Sequence, residues 1–229
     1  MSADSDRDSD SDRDSDADTD ELSRWPPRSQ VCVISDSLLA EVLGLSQDPH
    51  QHALPDQLRA TTSLDLHLRD GSKGKICRVQ GLTRLVALQQ LNLSYNALHK
   101  LEGLEALKQL RELNLAENCI SRIEGIFHLT RLERLNLSGN VIERVPSSVS
   151  ALVSLHSLRL NRNKLSDLRD LDHLRPLPAL RNLRIDGNDF PVPPGATGPP
   201  ALALRRYVLQ KVLPKLEVLD NEEVTAAER

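Results

Sequence analysis

Asparagines, arginines and aspartates recur in this sequence at spacings regular enough to carry chemistry, and the chemistry they suit is recognition. Asn96, Asn118, Asn140, Asn163 and Asn188 follow one another at intervals of 22, 22, 23 and 25 residues. A carboxamide donates and accepts at once, so a column of them can satisfy buried backbone groups in its own and the neighbouring turn. Arg134, Arg159, Arg162 and Arg184 fall in the same recurring segments, together with Tyr95 and Glu112. A guanidinium meets a carboxylate or phosphate through two parallel hydrogen bonds, and Arg and Tyr are common interface anchors. These six residues are the candidate partner-binding set. At the N-terminus, Ser5, Ser9, Ser11 and Ser15 each stand three residues before an aspartate. That pattern suits acidophilic kinases, which makes these serines candidate phosphosites, each gaining about −1.5 to −2 charges. The same segment is equally suited to solubilising the chain or to covering the basic residues in cis.

Covalent chemistry has no comparable support. The sequence holds no Gly-rich phosphate loop, no HExxH and no GxSxG. His99, His128, His156 and His173 occupy variable repeat positions and read as solvated or half-buried. Asp48, His50 and His52 form a loop triplet without cysteine partners, a weak basis for a metal site. Cys32, Cys77 and Cys119 are too few and too odd in number for a disulfide framework. A reducing, cytoplasmic setting is therefore expected, with Cys77 and Cys119 as partly buried thiols. No enzyme activity, cofactor or metal is expected.

Hydrophobic residues make up 39 % of the 229 but aromatics only 2 %, so the core must be aliphatic. Residues 1–21 hold ten acids against Arg7 and Arg13, a net of −8, while the remainder holds 27 Lys plus Arg against 23 acids, a net of +4. No apolar run reaches the length of a membrane span. The organisation expected is a disordered acidic Ser/Asp tail and linker over 1–30, a capping helix and loop over 31–60, repeats over 61–190 and a C-terminal cap over 191–229. Within 31–60, VISDSLLAEVLGL predicts a short helix begun by Ser35 or Asp36, and the two prolines of 46–60 predict a loop.

The repeats are LQQLNLSYNAL (88–98), LRELNLAENCI (110–120), LERLNLSGNVI (132–142), LHSLRLNRNKL (155–165) and LRNLRIDGNDF (180–190). The LxL alternation predicts a strand with one buried face. Between strands an apolar residue recurs every third position, as in Leu98, Leu101, Leu104, Leu107 and Leu110, which suits a 3-10 or irregular return. One such unit cannot cover its own leucines, so units must stack. Gln90, Asn92 and Ser94 and their equivalents are expected to face out. Arg134, Arg159 and Arg184 are expected to form one basic strip, with Arg162 at its edge. ALALRRYVLQKVL (201–213) predicts an amphipathic helix that, with Leu216, Val218 and Leu219, caps the last repeat.

This pattern resembles the short cytoplasmic class of leucine-rich repeats, with 22-residue units and a C-terminal cap. Members include the repeat subunit of protein phosphatase 1 and a leucine-rich spliceosomal protein. The resemblance implies an α/β repeat solenoid with a parallel concave sheet. The segments SLDLHLRDGSKGKICRVQGL (63–82) and VISDSLLAEVL (33–43) are similar to the N-terminal repeat domains of the centriolin type. That similarity implies a non-catalytic protein-interaction scaffold of the centrosome, centriole or ciliary base. The broader class implies two alternatives: a regulatory subunit that docks a phosphatase or other enzyme, and a ribonucleoprotein adaptor. The expected partner is a protein with an acidic or phosphorylated segment. Nucleic acid is disfavoured by the modest body charge, the scarcity of aromatics and the acidic tail.

Overall fold

The computed structural model describes residues 31–34, 36–44, 54–67 and 75–228. The acidic segment with its four candidate phosphosites, the triplet Asp48, His50 and His52, and the loop 69–74 lie outside the described residues. So does the side chain of Cys32.

Each LxL motif forms a three-residue strand because the central leucine is pulled inward while its neighbours stay in water. The strands are β2 (Ser63–Asp65), β4 (Gln90–Asn92), β5 (Glu112–Asn114), β6 (Arg134–Asn136), β7 (Ser157–Arg159) and β8 (Asn182–Arg184). They pair in parallel and in register, aligning Leu64, Leu91, Leu113, Leu135, Leu158 and Leu183 in one row. β9 (Val218–Leu219) continues the parallel sheet, and β10 (Glu222–Glu223) closes it antiparallel. The chain is thus an α/β repeat solenoid with a parallel concave sheet.

The third-position residues of the returns face the strands' leucines. Leu98, Leu101, Leu104, Leu107 and Leu110 are all buried, as are Ile120, Ile123, Ile126, Leu129 and Leu132. Burying each contributes about 1.5–3 kcal/mol. The returns are mostly irregular, with 3-10 turns at Leu82–Arg84 and Ser147–Ala151. The longest repeat instead holds a true helix, α3 (Leu168–Asp172), capped by the Asp167 carboxylate accepting from the Arg169 amide at 2.9 Å.

Asparagines lace consecutive turns together. The Asn118 Oδ1 accepts from the Leu98 amide at 3.0 Å, while its Nδ2 donates to the carbonyls of Leu93 and Leu115 at 3.0 Å. Asn96, Asn140, Asn163 and Asn188 repeat this arrangement. In the returns, Gly103 and Gly125 have φ of +74° and +72°. A Cβ on either would lie 2.2 or 2.0 Å from the carbonyl oxygen of Val79 or Leu101. The stacking distance of the repeats is set by the absence of a side chain there.

The N-terminal cap departs from the sequence expectation in two places. β1 (Val31–Val33) precedes the expected helix and pairs in parallel with β3 (Lys75–Arg78), the first return. A Val-Cys-Val run is a good strand former, and here it occupies the backbone edge that the first return would leave open. The expected helix follows as α1 (Asp36–Val42), with Leu39 fully buried and Val42 exposed. The expected loop contains α2 (Leu54–Ala60). Pro55 is tolerated because it stands in the first turn, where no intrahelical N–H bond is lost. Leu58 of α2 is fully buried.

At the other end, α4 (Pro200–Tyr207) runs into a wider turn at Val208–Val212. Val208, Leu209, Val212, Leu216 and Leu219 are buried on the last repeat. Arg205 ties the cap: it donates to the Leu219 carbonyl at 3.0 Å and pairs with Glu228. Glu228 in turn accepts from the amide and hydroxyl of Thr225 at 2.9 Å.

Candidate functional site

The strands present two outward columns to the concave side. One runs Gln90, Glu112, Arg134, Ser157, Asn182, and the other runs Asn92, Asn114, Asn136, Arg159, Arg184. A hollow follows them from Asp65 to Arg159. The next residues expected to face out do so only in part. Ser94, Ala116 and Asn161 are buried. The asparagines of the second column hold this curl: Asn92 Oδ1 accepts from the Ser94 amide and hydroxyl, and Asn136 Oδ1 does the same for Ser138.

Register also corrects the expected basic strip. Arg159 and Arg184 are direct neighbours across β7 and β8, whereas Arg134 lies one column away, opposite Glu112 and Ser157. Three of the four arginines are engaged by the solenoid's own acids. Arg134 pairs with Glu112, which also accepts from Gln90 Nε2 at 3.0 Å. The hydrogen bond from Arg134 holds the Glu112 carboxyl below its ordinary value, against a smaller opposing effect of burial. Arg162 pairs with Glu117 at 3.0 Å. Arg184 Nε pairs with Asp186 at 2.7 Å, which raises the Arg184 guanidinium above its ordinary value. Among the described residues Arg159 has no carboxylate partner, and it is exposed.

The Arg162–Glu117 pair joins two repeats that are not adjacent, and Gly139 of the repeat between them makes this geometry possible. A Cβ on Gly139 would stand 2.5 Å from the Glu117 carboxylate. Tyr95, Glu117, Gly139, Arg162 and Gly187 all have φ between +56° and +68°. The turn after each strand therefore needs the left-handed region, which glycine fills without strain. Tyr95 and Glu117 line a second hollow beside the first, with His67 and Ser138. In the first hollow, Asp65 is pushed up by burial but brought net below its ordinary value by hydrogen bonds from His67. The His67 ring stands 2.8 Å from Asp65.

No group of three or more His, Cys, Asp or Glu side chains among the described residues could hold a metal ion. His128, His156 and His173 each bond a backbone carbonyl through the ring. Cys77 and Cys119 are free and half-buried.

Two features escaped the sequence reading. Asp170 of α3 is 1 % exposed and accepts from Arg144 Nε and the Val145 amide, each at 2.9 Å. It buttresses the return of the repeat before it, and a lone aspartate in an irregular repeat gave no signal of this. The ion pairs across the strands did have a signal: Arg111 and Glu133, like Glu112 and Arg134, are 22 residues apart, one repeat period.

A leucine-rich-repeat family profile matches residues 105–229, more than half of the chain. The chain belongs to the leucine-rich-repeat family. No curated protein matches it in sequence. Among solved structures, it is similar to the functional domain of InlJ from Listeria monocytogenes, at 20 % identity and a TM-score of 0.51, covering 73 % of this chain and 32 % of that one. The internalin InlF of the same organism is 19 % identical with a TM-score of 0.39, covering 72 % of this chain and 62 % of that one. The SNF/U2A′ complex of Drosophila melanogaster is 22 % identical with a TM-score of 0.47, covering 86 % and 88 %. This leucine-rich-repeat chain thus spans about a third of the InlJ domain and under two thirds of the InlF chain. The InlJ likeness speaks to the fold. Among the described residues no helix is long and apolar enough to cross a membrane.

Proposed function

We propose that this leucine-rich-repeat chain is a non-catalytic protein-binding scaffold whose concave face takes an acidic or phosphorylated segment of its partner. The observation that carries the reading is Arg159: an exposed guanidinium with no carboxylate partner among the described residues, beside Arg184 in register. Asp186 already neutralises Arg184, so Arg159 is the guanidinium that a partner's carboxylate or phosphate would meet through two parallel hydrogen bonds. The sheet is already ordered, so a ligand does not have to organise it. Tyr95, Glu112, Arg134 and Arg162 frame the site. The ion pairs of Arg134 with Glu112 and of Arg162 with Glu117 leave these arginines less free to exchange partners than Arg159.

The place of action we propose is the centrosome or ciliary base, on the similarity of residues 33–43 and 63–82 to centriolin-type repeat domains. Proximity labelling in cells with the whole protein and with Arg159→Glu tests both parts. Centriolar neighbours that disappear in the variant support the proposal. Phosphatase catalytic subunits or spliceosomal proteins in their place would replace the location with the regulatory-subunit or ribonucleoprotein reading. An identical neighbour set for the two proteins would reject the concave site.

A further inference from the structure

We propose that the end of the concave face at β7 and β8 is a phosphoryl-binding subsite. There Ser157, Asn182 and Asn221 join Arg159 to select a phosphorylated side chain of a protein partner over a carboxylate. The inference rests on the concave site proposed above and names the ligand class that this site selects.

Unspent donors are the first argument. Along the first half of the sheet, the outward polar side chains are bonded to one another or to the next turn. Glu112 accepts from Gln90 and Arg134. Asn92, Asn114 and Asn136 each accept from the amide two residues on. From β7 onward this changes. Arg159 replaces the asparagine of the second column, while Ser157 and Asn182 continue the first. Among the described residues, the side chains of Ser157, Arg159, Asn182 and Asn221 make no hydrogen bond or ion pair. A hydroxyl, a guanidinium and two carboxamides are thus left with donors to offer.

Convergence is the second argument. These four side chains line one hollow. It is small, about 130 Å³ against about 400 Å³ for the hollow that runs from Asp65 to Arg159. It has room for a single head group rather than a stretch of chain. Ser157 and Asn182 are paired in register across β7 and β8, about 5 Å apart. Asn221 arrives from the C-terminal cap. Asp220 and Asn221 join β9 to β10 with φ of +53° and +67°, as a two-residue type I′ hairpin turn requires. The Asp220 carboxylate accepts from the amides of Ile185 and Asp186 at 2.7 and 3.0 Å, which pins that turn to the end of β8. Asp220 is thus engaged by backbone and Asp186 by Arg184, so Arg159 carries the free charge of the hollow.

Donors without acceptors select an acceptor-only ligand. A phosphoryl group carries about −1.5 to −2 charges and three acceptor oxygens. A carboxylate carries one charge and two oxygens. When the fork of Arg159 holds two oxygens, a carboxylate has none left over. A phosphoryl group keeps a third for Ser157, Asn182 and Asn221.

The test uses the full chain and two short Gly/Ala peptides, alike except that one carries phosphoserine and the other glutamate. The wild type should bind the phosphoserine peptide about tenfold more tightly or better. Asn182→Ala combined with Asn221→Gly, the glycine keeping the left-handed turn, should shrink that preference to within about twofold. The glutamate peptide's affinity and the melting temperature should stay unchanged. Ser157→Ala, on the strand beside Arg159, checks for a partial loss without touching the turn. A preference that survives in both variants overturns the subsite. Equal affinity of the wild type for the two peptides, both lost on Arg159→Glu, overturns the phosphoryl assignment and leaves the concave site standing. Oligouridine that displaces the phosphoserine peptide as readily as the unlabelled peptide does would replace the protein ligand with a phosphodiester strand. Peptide binding that is absent, or indifferent to Arg159→Glu, removes both the subsite and the concave site.

Discussion

Single side chains hold this solenoid together in ways that differ in cost. Asn118 satisfies one amide and two carbonyls across two turns. Asn118→Leu strands the Leu98 amide in a dry interior, at about 1–3 kcal/mol, while the Leu93 and Leu115 carbonyls keep the side-chain amides of Asn96 and Asn140. We expect a fall in denaturation midpoint corresponding to more than about 1 kcal/mol; an unchanged midpoint contradicts the bridging role. The glycines make a sharper comparison. At Gly125 a methyl group meets a backbone carbonyl oxygen at 2.0 Å, which cannot yield without parting two repeats. At Gly139 it meets the end of the flexible Glu117 side chain. Gly125→Ala should therefore destabilise more than Gly139→Ala, whose cost is left-handed strain of about 1–2 kcal/mol and the Arg162–Glu117 contact. Equal melting temperatures for the two variants would contradict this ranking. Asp220 tests electrostatics at the same scale. Burial raises its carboxyl above the ordinary value, partly offset by the amides of Ile185 and Asp186. A group raised in the folded state favours folding while protonated, and that contribution is lost as pH rises through its folded value. Asp220→Asn keeps the accepting oxygen without the charge, so at neutral pH its melting temperature should equal or exceed that of the wild type. A drop of several degrees would show the charge to be needed.

Elements matter most at the two ends, where stacking stops. α4 and the turn after it cover the leucines of the last repeat, so deletion of 200–229 should expose apolar surface that binds hydrophobic dyes or aggregates. A truncated chain that stays monomeric with an unchanged melt contradicts the capping role. Glu228 gives this cap a pH signature. The Arg205 hydrogen bond, with Thr225 adding to it, lowers the Glu228 carboxyl to about 2 from an ordinary 4.5. Its contribution is complete above about 4.5 and lost as pH falls toward 2. Glu228→Gln should therefore melt below the wild type at pH 7, with the two curves converging by about pH 2; a constant gap would contradict the linkage. The ends are also where the sequence was least legible. Period-three and period-two patterns are self-announcing in the middle, since every leucine of 88–190 must meet a copy of itself. α2 has no such neighbour pattern, and Pro55 within it, with Pro49 ahead of it, mimics a loop. β1 forms on an edge offered by residues more than forty positions away, a long-range pairing that local pattern does not encode.

At the scale of the whole molecule, repetition fixes which residues become neighbours, and this is where the site reading changed. The sequence correctly locates the concave columns, because strand alternation alone decides which residues leave the core. It does not show how the columns neutralise themselves. Glu112, Glu117 and Asp186 take up three of the four arginines that read as an open strip. The one-period spacing of Glu112 and Arg134 signals their pair, whereas the Arg162–Glu117 and Arg184–Asp186 contacts emerge only from the folded geometry and the missing side chain at Gly139. The same geometry changes the choice of variant. Reversing Arg184 would set a glutamate beside Asp186 and near Asp220, confounding binding with stability. Arg159 carries no such partner among the described residues. The most direct test of the concave site is a titration of a phosphoserine–aspartate peptide into the full chain, with and without Arg159→Glu, alongside thermal melts of both. Losing a charge-assisted contact of about 1.5–3 kcal/mol predicts binding weakened roughly 10- to 100-fold at an unchanged melting temperature. Equal affinity for the two proteins would contradict the site and send the search to the returns or the caps.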